Sequence, residues 1–214
     1  MASVQQRPTP GTFGDKKPDQ YAGHNPDVEL SVKDKIDGLL AFMKHCRYGM
    51  MTTRDTSTGL LASRCMELAA TESNGTDLLF FTNTHTHKVD ELAHDPHTNI
   101  SFVNHVGEWA SIAGSASVVT DRDLIRKHYK STLRAWLGDL GDGRHDGSAE
   151  DPRLGLIRVR MTTAACSISG KGLFGTVKDV VTGAMSGKAH EVAKMRELSQ
   201  EEVDKWRSSE GASS

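Results

Sequence analysis

The chain has 214 residues, 26 of them basic and 28 acidic, for a formal charge of -2. That length suits one ordinary domain with tails, and the lack of a basic excess argues against a general nucleic-acid binder. Hydrophobic residues make up 36%, yet no run approaches the ~20 apolar residues that span a bilayer.

No apolar N-terminal stretch marks a signal peptide. Cys46, Cys65 and Cys166 are far apart and odd in number, with no Cys-x-x-Cys pair. A disulfide framework is not expected, and a reducing, cytoplasmic setting is.

Residues 1–29 hold four of the six prolines, a composition that buries little and predicts a mobile N-terminal arm. Order is expected from Leu30. Ser31 caps a predicted helix through Ile36, Leu39, Leu40 and Met43, which recur at helical spacing. The period then changes. Tyr48 to Thr53 reads as a strand, Asp55 to Gly59 as a turn, and Leu60 to Leu68 as the hairpin partner. Asn74-Gly75 marks a second turn, and Asp77 to Thr82 a buried strand.

A short helix is predicted from about Lys88 to His94, stopped by Pro96. Asn99 to Asn104 and Trp109 to Thr120 read as strands, the second interrupted at Gly114 by a bulge or a close backbone approach. Asp121 caps a helix through Leu124, Ile125, His128 and Tyr129. A loop runs from Gly138 to Pro152, then a strand from Leu154 to Met161 with a weaker continuation at Cys166 to Lys171. Ser199 and Glu202 have the spacing of a capping box, opening a last helix to about Trp206. About six strands with few intervening helices and no repeat predict a mainly β fold: a closed or split antiparallel barrel. The expected domain is residues 30–185, followed by a C-terminal helix and tail at 186–214.

One constellation points to an anion. Arg64 lies on the second strand, Thr82 ends the third, and Thr86 and Lys88 open the next helix. A helix N-terminus offers free N–H groups and partial positive charge, which favour phosphate, and nearby cations and hydroxyls add to it. An ordinary helix cap with surface basic residues would use the same letters.

Phe81-Thr82-Asn83-Thr84-His85-Thr86-His87-Lys88 resembles the phosphate-binding stretch of the pyridoxamine-phosphate-oxidase-like split barrels, aromatic-Thr-Asn-x-x-Ser-Arg-Lys. Ser63-Arg64-Cys65-Met66 is similar to that family's Arg-Pro-Met strand, and Trp109 falls where the family places a flavin contact. With Glu150 to Leu154 before a strand, the closest likeness is to the general-stress branch and the blue-light-inducible proteins of filamentous fungi. It covers roughly residues 33–180.

The resemblance implies a six-stranded Greek-key split barrel that dimerises, with flavin mononucleotide (FMN) between two subunits. It implies cofactor contacts from Ser63, Arg64, Cys65, Met66, Phe81, Thr82, Thr86, His87, Lys88 and Trp109. His87 stands where the oxidase has Arg, Cys65 where it has Pro, and the oxidase's C-terminal Trp and Arg have no match. These departures steer the reading away from pyridoxal phosphate synthesis.

Other patterns carry less. His85 with His87, and His94 with His97, could ligate a metal, but Lys88 beside the first pair opposes one. Asp139 to Glu150 has the length of an EF-hand loop but glycines at two ligand positions. Gly170-Lys171-Gly172 lacks the Ser or Thr of a Walker motif. The expected function is an FMN-dependent oxidoreductase acting on a small molecule; the alternative is a flavin carrier or sensor. No metal, nucleic acid or membrane partner is expected, and no residue stands out as a catalytic acid or base. A deazaflavin would fit the phosphate segment equally well.

Overall fold

In the computed structural model, residues 30–168 and 194–209 are described. The expected N-terminal arm, the continuation of the late strand past Ile168, the Gly170-Lys171-Gly172 segment and the last residues of the tail lie outside them. Helix α1 (Val32–Cys46) opens on Ser31, whose hydroxyl accepts from Asp34 N. Strands β1 (Tyr48–Arg54), β2 (Leu61–Glu72) and β3 (Asp77–Asn83) follow as an antiparallel meander. Asp55 closes the first turn by accepting from Ser57 N and Thr58 N. Asn74 (φ 58°) and Gly75 (φ 85°) make the second, left-handed conformations that Asn and Gly tolerate.

Helix α2 (His87–His94) precedes β4 (His97–Val103) and β5 (Trp109–Val119). Helices α3 (Arg122–His128) and α4 (Thr132–Leu137) precede β6 (Leu154–Ile168). Strand β7 (Lys194–Leu198) and helix α5 (Gln200–Ser208) end the described chain. Asp121 caps α3 through Asp123 N and Leu124 N, and Ser199 with Glu202 forms the expected capping box.

The strands are ordered β3-β2-β1-β4-β5-β6-β7, and β3 also pairs with β6. That extra ladder closes six strands into an antiparallel barrel and leaves β7 outside. One edge of β6 serves two partners in turn: β3 on Leu154 to Arg160 and β7 on Ala164 to Ile168. The barrel interior is filled by Met51, Leu78, Phe80, Ile100, Phe102, Ile112 and Val159, with Ile36, Leu39 and Met43 of α1 packed into the same cluster. Each such side chain contributes about 1.5–3 kcal/mol on burial. A second, smaller cluster joins Leu79, Leu154 and Leu156 to Ile125 of α3 on the outside of the barrel.

Gly114 is a close approach and a bulge together. A Cβ there would stand 2.1 Å from Arg160 O. The register shifts at this point: Ala113 faces Thr163 and Gly114 faces Met161, so Thr162 has no partner on β5. The burial phase of β6 flips with it, from Val159 and Met161 to Ala164, Cys166 and Ile168. A single extra residue reverses every side chain beyond it.

Candidate functional site

Residues from three elements meet beside α2. Met51 of β1 pairs with Arg64 of β2, so Arg64 reaches along the hairpin toward the helix. Its guanidinium donates to Thr53 Oγ1 at 2.7 Å and to Glu91 Oε1 at 2.6 Å. Thr53 in turn donates to Glu91 Oε2 at 2.6 Å. Glu91 is buried, its side chain 2% exposed against 32% for Arg64. Burial pushes the Glu91 carboxyl up, but the hydrogen bonds from Arg64 and Thr53 outweigh it and hold the group below the usual carboxylate range. Glu91 and Thr53 thus take two of the five N–H groups of Arg64 between them and leave the others for a ligand.

Lys88 lies one helical turn earlier on the same face of α2, which buries Lys88, Glu91 and Leu92. Lys88 is 9% exposed. Among the described residues its ammonium has one hydrogen-bond acceptor, Thr86 Oγ1 at 3.0 Å. Burial lowers its pKa below the usual lysine value, the Arg64 cation lowers it further, and Glu91 opposes. Arg64 and Lys88 against Glu91 leave one net positive charge in a partly desolvated place. A buried ammonium with unfilled donor capacity is costly, and an anion would relieve it.

The N-terminus of α2 points to the same chemistry. Thr86 occupies the N-cap position but its side chain makes no cap. Its hydroxyl donates instead to Asn83 O at 2.8 Å. The first amides of the helix are therefore left without the side-chain acceptor that normally satisfies one of them. These features fit a phosphate group: an uncapped helix start, a buried lysine short of acceptors and an arginine held in place by a buried carboxylate.

The remaining expected residues fall in different places. Ser63 is exposed on β2, its hydroxyl 2.8 Å from Thr52 Oγ1. Cys65 is an exposed free thiol. Met66 turns into the barrel core. Thr82 is fully buried and donates to Asn83 O at 3.2 Å. His87 is exposed at the first position of α2. Cys65, Met66 and Phe81 line a chamber of about 290 Å³, together with Tyr48, Leu133 and Trp136.

Trp109 stands apart. It opens β5, opposite Val103 and Ser167, and the sheet order puts β1 and β4 between its strand and the strand of Arg64. Glu91 and Thr53 were not singled out from the sequence. A carboxylate on a short helix reads as solvated; the one signal was its spacing of three residues from Lys88.

The histidines do not converge. His97 Nδ1 lies 2.7 Å from Asp95 Oδ1, and among the described residues no three His, Cys, Asp or Glu side chains are placed to hold a metal ion. The acids of the Asp139 to Glu150 loop serve as turn acceptors and ion-pair partners. Asp142 accepts from Arg144 N and His145 N, and Glu150 pairs with Arg126 at 2.6 Å. No described helix is long and apolar enough to cross a membrane.

Solved structures share this barrel. A general stress protein 26 from a Jannaschia species superposes with a TM-score of 0.60 at 17% identity, covering 78% of this chain and 98% of its own. The general stress protein 26 of Bacillus anthracis gives 0.52 at 20% identity, covering 64% and 94%. A pyridoxamine 5'-phosphate oxidase-related, FMN binding protein from Nostoc punctiforme gives 0.51 at 15%, covering 65% and 85%. At these identities the likeness is one of fold. Sequence similarity is much stronger to the protein bli-3 of Neurospora crassa, 56% identical over 197 residues, 92% of this chain and 94% of that one. The family described as "Pyridoxamine 5'-phosphate oxidase like" matches residues 34–205. The chain belongs to the pyridoxamine 5'-phosphate oxidase-like family.

Proposed function

We propose that the protein binds FMN, its phosphate held by Arg64, Lys88, Thr86 and the start of α2. The observation that carries this reading is the buried Lys88, whose ammonium has one acceptor among the described residues, beside a helix N-terminus that its own N-cap residue leaves uncapped. The FMN binding protein from Nostoc punctiforme, which has the same fold, supports the choice of anion. Glu91 and Thr53 orient Arg64, and Lys88 and Arg64 together neutralise phosphate charge. Cys65, Met66 and Phe81 line the chamber along which the ring system would lie. Bound FMN would supply hydride or one-electron chemistry to a small-molecule substrate.

Two copies of the chain complete this site. Trp109 and Arg64 are separated by two strands within one chain, so a cofactor that touches both bridges two subunits. The outer face of β1 and β4 supports such pairing: Tyr48, Met50 and Val103 are 48%, 41% and 66% exposed, an apolar patch on neighbouring strands. The setting we assign is the cytoplasm.

A second reading is a flavin carrier or sensor without turnover. It is favoured by the state of the two carboxylates nearest the chamber and the phosphate site. Glu67 is paired with Arg47 at 2.9 Å and Glu91 with Arg64 at 2.6 Å, which leaves neither available as a general base. Purifying the full chain, recording its visible spectrum and titrating it with FMN tests the binding proposal; absence of bound flavin together with no titratable FMN site refutes it. Reduction of the bound flavin by NADH or NADPH, with turnover to an acceptor, separates the enzyme from the carrier.

A further inference from the structure

Among the described residues, Lys88 is the one buried lysine. Surface lysines are held protonated by water and by neighbouring acids. Lys33, 65% exposed, is ion-paired with Asp37, and that contact raises its pKa. Lys127, 63% exposed, lies 3.4 Å from Glu72 Oε1. Lys88 has the opposite surroundings. Burial and the Arg64 cation favour its neutral amine, Glu91 opposes them, and its acceptor Thr86 Oγ1 is uncharged. A desolvated lysine beside a second cation is an activated nucleophile.

The same amine belongs to an anion site. Arg64 and the uncapped start of α2 attract a phosphate group to its side. Nucleophile and anion site together select an electrophile by its chemistry. It carries a phosphate, and its reactive carbon is bonded to that phosphate, since Lys88 is itself one of the groups around the anion. An acyl phosphate has this arrangement. In a phosphorylated aldehyde the carbonyl lies further along the carbon chain, away from the amine. A neutral acylating reagent has nothing for Arg64 to hold.

We propose that Lys88 is an acylation site for acyl phosphates, and that its acylation closes the phosphate site. This chemistry needs the anion site assigned above and is independent of FMN as its occupant. The neutral amine attacks the acyl carbon and a C–N bond forms. The C–O bond to phosphate breaks, and the amine proton leaves with inorganic phosphate. Nothing is oxidised or reduced. A bound anion also draws the proton back onto the amine, by roughly a thousandfold for one charge at about 4 Å. Effective concentrations of about 10⁵ M or more for oriented neighbours exceed that opposition. The amide product is uncharged. Arg64 and Glu91 then cancel, and the one net positive charge of the site is gone.

The test incubates the full chain with acetyl phosphate, and in parallel with acetic anhydride, and locates the acetyl groups by peptide mass spectrometry. Acetyl phosphate should modify Lys88 at least about tenfold faster than Lys33 or Lys127. Inorganic phosphate or FMN should slow the reaction at Lys88 alone. Acetic anhydride, with no phosphate to be held, should lose the preference. Lys88→Arg keeps the charge and should remove the fast acetylation while leaving the slow reaction at Lys33 and Lys127. Protein acetylated at Lys88 should bind FMN at least about tenfold more weakly.

Equal rates at the three lysines, a Lys88 rate that phosphate leaves unchanged, or unaltered FMN affinity after acetylation would overturn the proposal. If phosphate protects Lys88 while FMN neither binds nor protects, the acylation site stands and the cofactor reading falls. If FMN binds and acetyl phosphate passes Lys88 by, the cofactor reading stands and the acylation site falls.

Discussion

Replacing Lys88 by Met keeps the length of the side chain and removes its charge. Two effects then pull in opposite directions. In the free protein Lys88 is 9% exposed, its ammonium has Thr86 as its acceptor among the described residues, and it is repelled by Arg64. Removing it relieves burial of a charge, so the thermal midpoint measured without FMN should stay level or rise. In the complex the same change deletes a charge-assisted contact to phosphate, worth about 1.5–3 kcal/mol. FMN affinity should therefore fall about 10- to 150-fold.

The assay is quenching of flavin fluorescence on titration, paired with thermal unfolding of the cofactor-free protein. A purely structural lysine would lose stability when replaced; a ligand-binding one loses affinity alone. The wild-type protein adds a pH signature. Lys88 titrates below the ordinary lysine value of 10.5, and only its protonated form attracts phosphate. FMN affinity should thus decline as pH rises through that lowered pKa, and Lys88→Met should abolish the alkaline decline. Unchanged FMN affinity, or a lower midpoint in the free protein, would refute the reasoning.

Other consequences follow from the same contacts. Glu91→Ala strips Arg64 and Thr53 of a shared partner; because Arg64 is about one-third exposed, water recovers part of the loss, and the cost in denaturant unfolding should be about 1–3 kcal/mol, with weaker FMN binding besides. Asp151 is fully buried, hydrogen-bonded by Arg153, Gly147 N and Arg153 N, and its pKa falls from 3.8 to about 2. Its contribution is complete above the unfolded-state pKa and lost as pH falls toward 2, so Asp151→Asn should lower stability at neutral pH by about 2 kcal/mol and flatten its acid dependence between pH ~4 and ~2. Gly114→Ala would drive a Cβ against the Arg160 carbonyl, and unfolding measurements should register a loss of about 1–3 kcal/mol or more.

Local signals carried most of the fold into the sequence. Ser31, Asp121 and the Ser199–Glu202 box mark helix starts because capping is decided within three residues. Gly114 announced its bulge because no other residue tolerates so close a carbonyl. The continuation of β6 was faint for the same reason: alternation is a sound guide only until Thr162 shifts its phase. Helix α4 was missed because it has no buried residue and hence no apolar stripe. Strand β7 was missed because it reads Lys-Met-Arg-Glu-Leu, with Leu198 its buried residue among those described.

The phosphate segment was legible as a contiguous motif, while its support was not. Glu91 and Thr53 act on Arg64 across separations of 27 and 11 residues, which only the hairpin and the packing of α2 bring together. The net charge of the site changes with them. Arg64 and Lys88 read from the sequence as two free cations; the structure gives one of them a buried counter-ion.

The central claim is that Arg64, Lys88 and the start of α2 hold a flavin phosphate. Parallel titration of the full chain with FMN and with riboflavin, which has the same ring and no phosphate, tests it most directly. FMN should bind at least about 100-fold more tightly, as expected for losing several charge-assisted hydrogen bonds at once. Equal affinity for the two, or binding of neither, would contradict the account.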